Sequence, residues 1–106
     1  MPTGPIRVLT ERLVSRGFEP TVARFSEQLR AAVKKQPGFI SIESLDDLTD
    51  LNKHVMISQW RSKEEYLAWE QTQEYKKLNE KLNEVLDKPG KSARIFSAPK
   101  EDVFLL

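Results

Sequence analysis

The order of its periodic segments constrains the fold of this chain more than any other feature. Stretches with the apolar pattern of strands alternate with stretches that have the helical period. The order is strand, helix, strand, strand, helix, strand, and the segments cover residues 6–14, 18–36, 39–45, 54–60, 62–88 and 92–97. This order predicts an α+β domain of the ferredoxin-like βαββαβ type with an antiparallel sheet, spanning residues 1–106.

Charge and composition exclude several classes of protein. Lys and Arg number 17 and Asp and Glu 16, so the net charge is +1, and the chain has one His and no Cys. A near-neutral chain lacks the field that attracts nucleic acid or an acidic membrane. Without cysteine, and with one histidine, we expect no disulfide and no metal site. The absence of a long apolar run or a signal peptide predicts a cytoplasmic protein without a membrane segment.

The second helix contains a conflict between two apolar patterns. Ser62 and Glu65 have the spacing of a capping box, which predicts the helix start. Further on, an apolar stripe about 100° wide follows the helical period; its members are Tyr75, Leu78, Leu82, Val85 and Leu86. In one ideal helix Trp69 would lie roughly 120–200° away from this stripe. We therefore predict a break between Gln71 and Gln73 with Thr72 as a new cap; the alternative is an unbroken helix with Trp69 against a partner subunit.

Both faces of the predicted sheet carry apolar residues. Strict alternation along the strands places Phe39, Leu45, Met56 and Trp60 on one face and Ile40, Ile42, Val55 and Ile57 on the other. Two helices can cover only one face, so a second copy packed sheet against sheet would cover the other. The sequence therefore predicts a homodimer. The apolar tail of residues 103–106 is expected to pack onto the body or a partner.

A few residues could carry chemistry. Trp69 and Tyr75 flank the predicted break, where they either line a pocket for a flat ligand or simply fill the layer between helix and sheet. Asn79 follows Tyr75 by four residues, so its amide can face the same ligand. His54 is the single histidine and is either a general base or an ordinary residue at the start of a strand.

Two sequence stretches resemble a known family. The stretch P-G-F-I-S-I-E-S-L begins at Pro37, and H-V-M-I-S-Q-W-R-S-K-E-E-Y-L-A-W runs from His54 to Trp69. Together they resemble the antibiotic biosynthesis monooxygenase domain, whose hallmarks are a P-G-F strand and a strand that ends in W-x-S. The resemblance implies a dimeric α+β barrel with a pocket between helices and sheet in each subunit.

The haem-degrading branch of that family is the closest in motif. That branch has an Asn on the first strand, a Trp on the broken helix and an axial His ten residues later. Trp69 matches the Trp, whereas Asn79 stands at the His position and Thr10 or Glu11 at the Asn position. An amide is a poor iron ligand, and His54 would be the only imidazole that could substitute. Haem binding is therefore the weaker alternative.

The cofactor-independent branch oxidises aromatic molecules with residues of the Trp, Tyr, Asn and Arg types. Similar types occur here, which implies a substrate site built from Trp69, Tyr75, Asn79 and Arg94. The resemblance implies a small monooxygenase that acts on an aromatic, quinol-type molecule without cofactor or metal. Glu11 or His54 would take the first proton. The alternative is a ligand-binding or interaction dimer of the same fold that catalyses nothing.

Overall fold

The computed structural model describes residues 4–86 and 92–97. The elements are β1 (Ile6–Leu13), α1 (Glu19–Val33), β2 (Phe39–Asp46), β3 (Lys53–Trp60), α2 (Lys63–Glu70), α3 (Gln73–Asn83) and β4 (Ser92–Ser97). The ferredoxin-like α+β prediction is confirmed, with the second helix divided in two. None of the helices within the described ranges combines the length and apolarity needed to cross a membrane. The predicted helix end at Pro89–Gly90 and the apolar tail lie outside the described residues.

The four strands form an antiparallel sheet in the order β2-β3-β1-β4. The helices cover one side, which we call the helix face and define by Ile6, Val8, Thr10 and Arg12 of β1. The other side, the open face, carries the alternate residues of β1. Residues paired across strands share a face, so Trp60 and His54, the partners of Ile6 and Arg12, also lie on the helix face. Trp60 and Val8 are fully buried at the centre of the core.

The first helix packs its predicted apolar stripe against the sheet. Leu29, Ala32 and Val33 join the main core cluster, and Val22 belongs to a second cluster with Leu82. The helix is shorter than the predicted 18–36, because Phe18 is its N-cap and Lys34 its C-cap. Val14, predicted to end β1, instead forms an isolated bridge with Leu86.

The alternation predicted for β2 is wrong at two residues. The pairing of β2 with β3 shifts register between Phe39 and Ser41, so that Ile42 pairs with Ser58 and Leu45 with Val55. Ile42 therefore packs against the core together with Phe39, and Leu45 falls on the open face. The cause is a bulge-type irregularity, because one extra residue in a strand exchanges the faces of all residues beyond it.

The break in the second helix is confirmed. Ser62 caps α2 by accepting a hydrogen bond from Glu65 N over 3.2 Å, and Glu65 Oε1 accepts from Ser62 Oγ over 3.1 Å. Helix α2 ends at Glu70, and Thr72 caps α3 by accepting from Tyr75 N over 3.1 Å. The break turns both Trp69 and the stripe of α3 towards the sheet, which a single straight helix could not do.

Candidate functional site

The break between α2 and α3 brings two aromatic rings together. Trp69 and Tyr75 meet edge to face, with ring centroids 5.3 Å apart and planes at 67°. Their exposed fractions are 3% and 7%, so both rings are buried between the helices and the sheet. Both predicted substrate-binding aromatics therefore lie in the same layer and in contact.

A buried arginine lies on the sheet beneath these rings. Arg12 is only 3% exposed, and its Nη2 donates a hydrogen bond to Asn79 Oδ1 over 3.1 Å. Among the described residues its Nε has no hydrogen-bond partner. Burial lowers the pKa of Arg12, whereas Tyr75, Tyr66 and Glu70 oppose that shift. The site thus contains a cation that is shielded from water.

The space between the rings and the arginine is small. A cavity of about 30 Å³ is lined by residues of β1, β3 and all three helices, with Thr10, Arg12, Ser58, Trp69 and Tyr75 among them. This volume is comparable to that of one water molecule. Of the two alternatives for Trp69 and Tyr75, a ligand pocket or a filled layer, the structure shows a cavity smaller than an aromatic ring. An aromatic ring therefore needs more space than this cavity has, and the backbone leaves the helical path next to it, between α2 and α3 at Gln71–Thr72.

A second tyrosine at the cavity is held by a carboxylate. The Tyr66 hydroxyl donates to Glu70 Oε2 over 2.6 Å. Burial raises the pKa of Tyr66, and the hydrogen bond to Glu70 raises it further. Tyr66 therefore stays protonated at neutral pH and acts as a wall of the cavity rather than as a base.

His54 lines a different and larger space. This cleft has a volume of about 310 Å³ and lies between α1 and the β2–β3 end of the sheet. There His54 Nε2 is 3.0 Å from Ser26 Oγ. Burial lowers the pKa of His54, as do the nearby cations Arg12 and Arg30, while Asp46 raises it. The ring is therefore mainly neutral at pH 7 and able to accept a proton.

The remaining predicted site residues lie on the open face. Glu11 pairs with Val55 and Ser92 there, so the sheet separates its carboxylate from Trp69. Arg94 pairs with Leu9 on the same face, and its guanidinium carbon lies 5.0 Å from the ring centroid of Phe96. The structure therefore brings Trp69 and Tyr75 into contact and places Asn79 against Arg12. It places His54 in the neighbouring cleft and leaves Glu11 and Arg94 on the far side of the sheet.

The sequence analysis missed Arg12. The signal was present, because Arg12 continues the alternation of Ile6, Val8 and Thr10 and precedes the buried Val14. A charged residue at an inward position of a strand is rarely buried without a purpose. Its position in this alternation predicts a guanidinium on the helix face of β1.

The residues of this site do not fit a haem. Asn79, at the position of the axial ligand, has its side-chain oxygen in a hydrogen bond with Arg12, and an amide binds iron weakly. His54 faces the separate cleft and contacts Ser26. The described residues also contain no group of three His, Asp or Glu side chains that could hold a metal ion.

Comparison with known proteins supports the sequence resemblance. The family described as "Antibiotic biosynthesis monooxygenase" matches residues 5–81, whereas no curated protein sequence gives a significant match. SnoaB, a cofactor-independent oxygenase from Streptomyces nogalater, has a similar structure with a TM-score of 0.80 and 15% identity, covering 94% of this chain and 98% of that one. A conserved protein from Methanosarcina mazei Go1 gives a TM-score of 0.81 and 19% identity over 88% and 91% of the two chains. Rv0793 from Mycobacterium tuberculosis gives 0.80 and 12% over 93% and 99%. At these identities the structural matches show a shared fold.

Proposed function

This chain belongs to the antibiotic biosynthesis monooxygenase family, and on that premise we propose that it is a small cofactor-independent monooxygenase of an aromatic, quinol-type molecule. The observation that carries the proposal is the buried Trp69–Tyr75 pair beside a cavity that also contains polar side chains. One relative of the same fold, SnoaB, is described as a cofactor-independent oxygenase. Aromatic walls with few polar groups are typical of sites for flat organic ligands.

The proposed reaction balances without a cofactor. The phenol loses a proton, and its anion passes one electron to O₂. The resulting radical and superoxide combine into a peroxide with a new carbon–oxygen bond. Loss of water then leaves a quinone, so that one phenol and one O₂ give one quinone and one water. The protein needs only to hold the ring, stabilise the negative oxygen and exclude bulk water.

Four of the predicted site residues have a proposed part in this reaction. Trp69 supplies the wall against which the ring lies, and the helix break provides its entry. Tyr75 and Asn79 are proposed to contact the oxygen of the ligand. His54 is the better placed of the two predicted bases, because it lies on the helix face and is mainly neutral, whereas Glu11 lies on the open face. Arg94 also lies there and has no proposed contact with the ligand of its own subunit.

Oxygen consumption tests this function. The purified protein is incubated with a series of simple phenols and naphthols, and O₂ uptake and quinone formation are recorded together. We expect one O₂ per quinone in the wild type and a rate at least about tenfold lower in Trp69→Phe, because misplacing the ring disrupts the reacting geometry. Leu67→Ala is the matched control, since Leu67 is on the same helix and 42% exposed. Equal rates in wild type and Trp69→Phe, or binding without O₂ uptake, would favour a non-enzymatic ligand-binding protein.

We propose further that two copies pack through their open faces. The open face carries a row of apolar side chains that no described element covers: Leu9, Leu13, Leu45, Ile57 and Phe96. Leu45 and Phe96 are 39% and 41% exposed, and an apolar face of this extent favours association. Light scattering should give twice the chain mass of 12.3 kDa, and Leu9→Lys combined with Phe96→Lys should yield a monomer. A wild-type monomer would contradict this arrangement.

The cytoplasmic location stays a prediction from the sequence.

A further inference from the structure

The geometry points to an oxyanion subsite at Arg12: we infer that the ligand of the proposed monooxygenase binds as an anion, with its charged oxygen at the Arg12 guanidinium. This inference rests on the proposed function for the aromatic character of the ligand. It adds the charge state of that ligand and a residue that no sequence pattern assigned. The class of ligand is an aromatic oxyanion, namely an ionised phenol or an aromatic carboxylate.

The first argument is the burial of a charge that has no carboxylate in direct contact. Arg12 is 3% exposed, and within the described part of the chain no carboxylate lies within ion-pair distance of it. Its hydrogen-bond partner, the amide of Asn79, is neutral. Burying a charge without a counter-ion in contact is energetically unfavourable. An anionic ligand would supply this counter-ion, and its attraction to the buried guanidinium would favour binding.

The second argument is the unused donor. Arg12 Nε is buried and has no partner among the described residues, and Arg12 lines the cavity next to Trp69. A guanidinium presents its donors as a planar fork that suits an oxyanion. With Nη2 engaged by Asn79, Nε is the donor available to an oxygen in the cavity, and the rings of Trp69 and Tyr75 line the same cavity to receive the aromatic part.

The nearby acidic groups do not replace such a ligand. Glu70 stabilises the charge on Arg12 from a distance, but its Oε2 accepts the hydrogen bond of Tyr66 over 2.6 Å. A single water would fit the cavity of about 30 Å³ and could pair with Nε. A water is neutral, however, so it satisfies the donor without offsetting the charge. Comparing an ionisable ligand with a neutral isostere separates these two possibilities.

The test uses 4-nitrophenol, whose neutral and ionised forms have different absorption spectra. The full-length protein is titrated with it under anaerobic conditions at several pH values, together with 4-nitroanisole, its methyl ether, which cannot ionise. A positive charge in direct contact favours the ionised form of the phenol. The pKa of bound 4-nitrophenol should therefore be about one to three pH units below that of the free compound. The anisole should bind at least about tenfold more weakly than the phenolate. A parallel titration with 4-nitrobenzoate shows whether a carboxylate is accepted as well as a phenolate.

Two variants of β1 provide the matched comparison. Arg12→Met keeps the length of the side chain in a buried position and should abolish the lowering of the ligand's pKa. Arg7→Met makes the same change on the same strand, but Arg7 is exposed on the open face, and it should behave as wild type. Thermal unfolding confirms that each variant is folded. If Arg12→Met does not fold, Arg12→Lys retains a charge without the fork and should keep part of the effect.

The outcomes separate this inference from the proposed function. Anion-selective binding that depends on Arg12 but without O₂ uptake would retain the subsite and reject the monooxygenase. O₂ uptake with an unchanged ligand pKa in wild type would retain the monooxygenase and overturn the subsite. Equal affinity for 4-nitrophenolate and 4-nitroanisole, the same ligand pKa in wild type and Arg12→Met, or no binding of either compound would each overturn the inference.

Discussion

Arg12 and Asn79 join the sheet to the broken helix through one hydrogen bond, from Arg12 Nη2 on β1 to Asn79 Oδ1 on α3 over 3.1 Å. They are 67 residues apart in the sequence. The bond therefore links α3, which also carries Tyr75, directly to the sheet. The amide that the sequence resemblance places at the position of a haem ligand is here hydrogen-bonded to a guanidinium.

Removing this amide should destabilise the protein. Asn79→Ala leaves a second donor of a buried cation without a partner, and hydrogen bonds to charged groups contribute about 1.5–3 kcal/mol. We expect a loss of that order in the free energy of unfolding, measured by urea denaturation. Lys77→Ala, an exposed position of the same helix, should stay within about 0.5 kcal/mol of wild type. Equal stability of the two variants would show that Asn79 does not support Arg12.

The cap at the helix break should also be measurable. Thr72 accepts a hydrogen bond from Tyr75 N, and replacing such a cap with Ala costs about 1 kcal/mol. Thr72→Ala should therefore lower the free energy of unfolding by that amount, again in urea. Thr21→Ala lies inside α1, away from any break, and should be nearly neutral. A neutral Thr72→Ala would indicate that packing of the aromatic rings alone maintains the break.

Much of this architecture follows from local patterns. The mismatch between Trp69 and the stripe of α3 predicts the break, because a large aromatic side chain is costly to leave in water. The alternation of Ile6 and Val8 predicts the inward side of β1. Such patterns are reliable where one periodicity decides which side of an element is buried.

Local patterns predict less where long-range structure decides. The register shift between Phe39 and Ser41 depends on how β2 pairs with β3. The residues of β2 alone do not predict it. Arg94 was chosen by residue type, although its strand turns it to the open face. Arg12 was overlooked because charged residues are usually exposed, and its burial depends on helices that come 50 or more residues later in the chain.

The neutral state of His54 predicts a pH dependence of stability. Its pKa is lowered from 6.5 in the folded protein, chiefly by burial and then by Arg12 and Arg30. The unfolded chain therefore takes up a proton first as the pH falls, which favours unfolding below about pH 6.5. The free energy of unfolding should fall between pH 7 and pH 5, and His54→Gln should show a smaller fall. A steeper fall in the variant would mean that the pKa of His54 is raised instead.

Haem binding should fail. With Asn79 held by Arg12 and His54 in a separate cleft, no described side chain offers iron an imidazole at the cavity. Micromolar hemin added to the protein should show no Soret shift that depends on a particular residue. A shift abolished by His54→Ala would contradict this and would restore haem as a ligand.

The location of the bound ligand tests the central claim most directly. Isotope-labelled methyl groups of Met and Ala provide probes for NMR, because Met56 lines the cavity at Arg12 and Ala23 lines the cleft at His54. On titration with 4-nitrophenolate we predict that the Met56 methyl signal shifts and the Ala23 signal does not, and that Arg12→Met abolishes the change. A shift of Ala23 with Met56 unchanged would place the ligand in the His54 cleft and contradict the account.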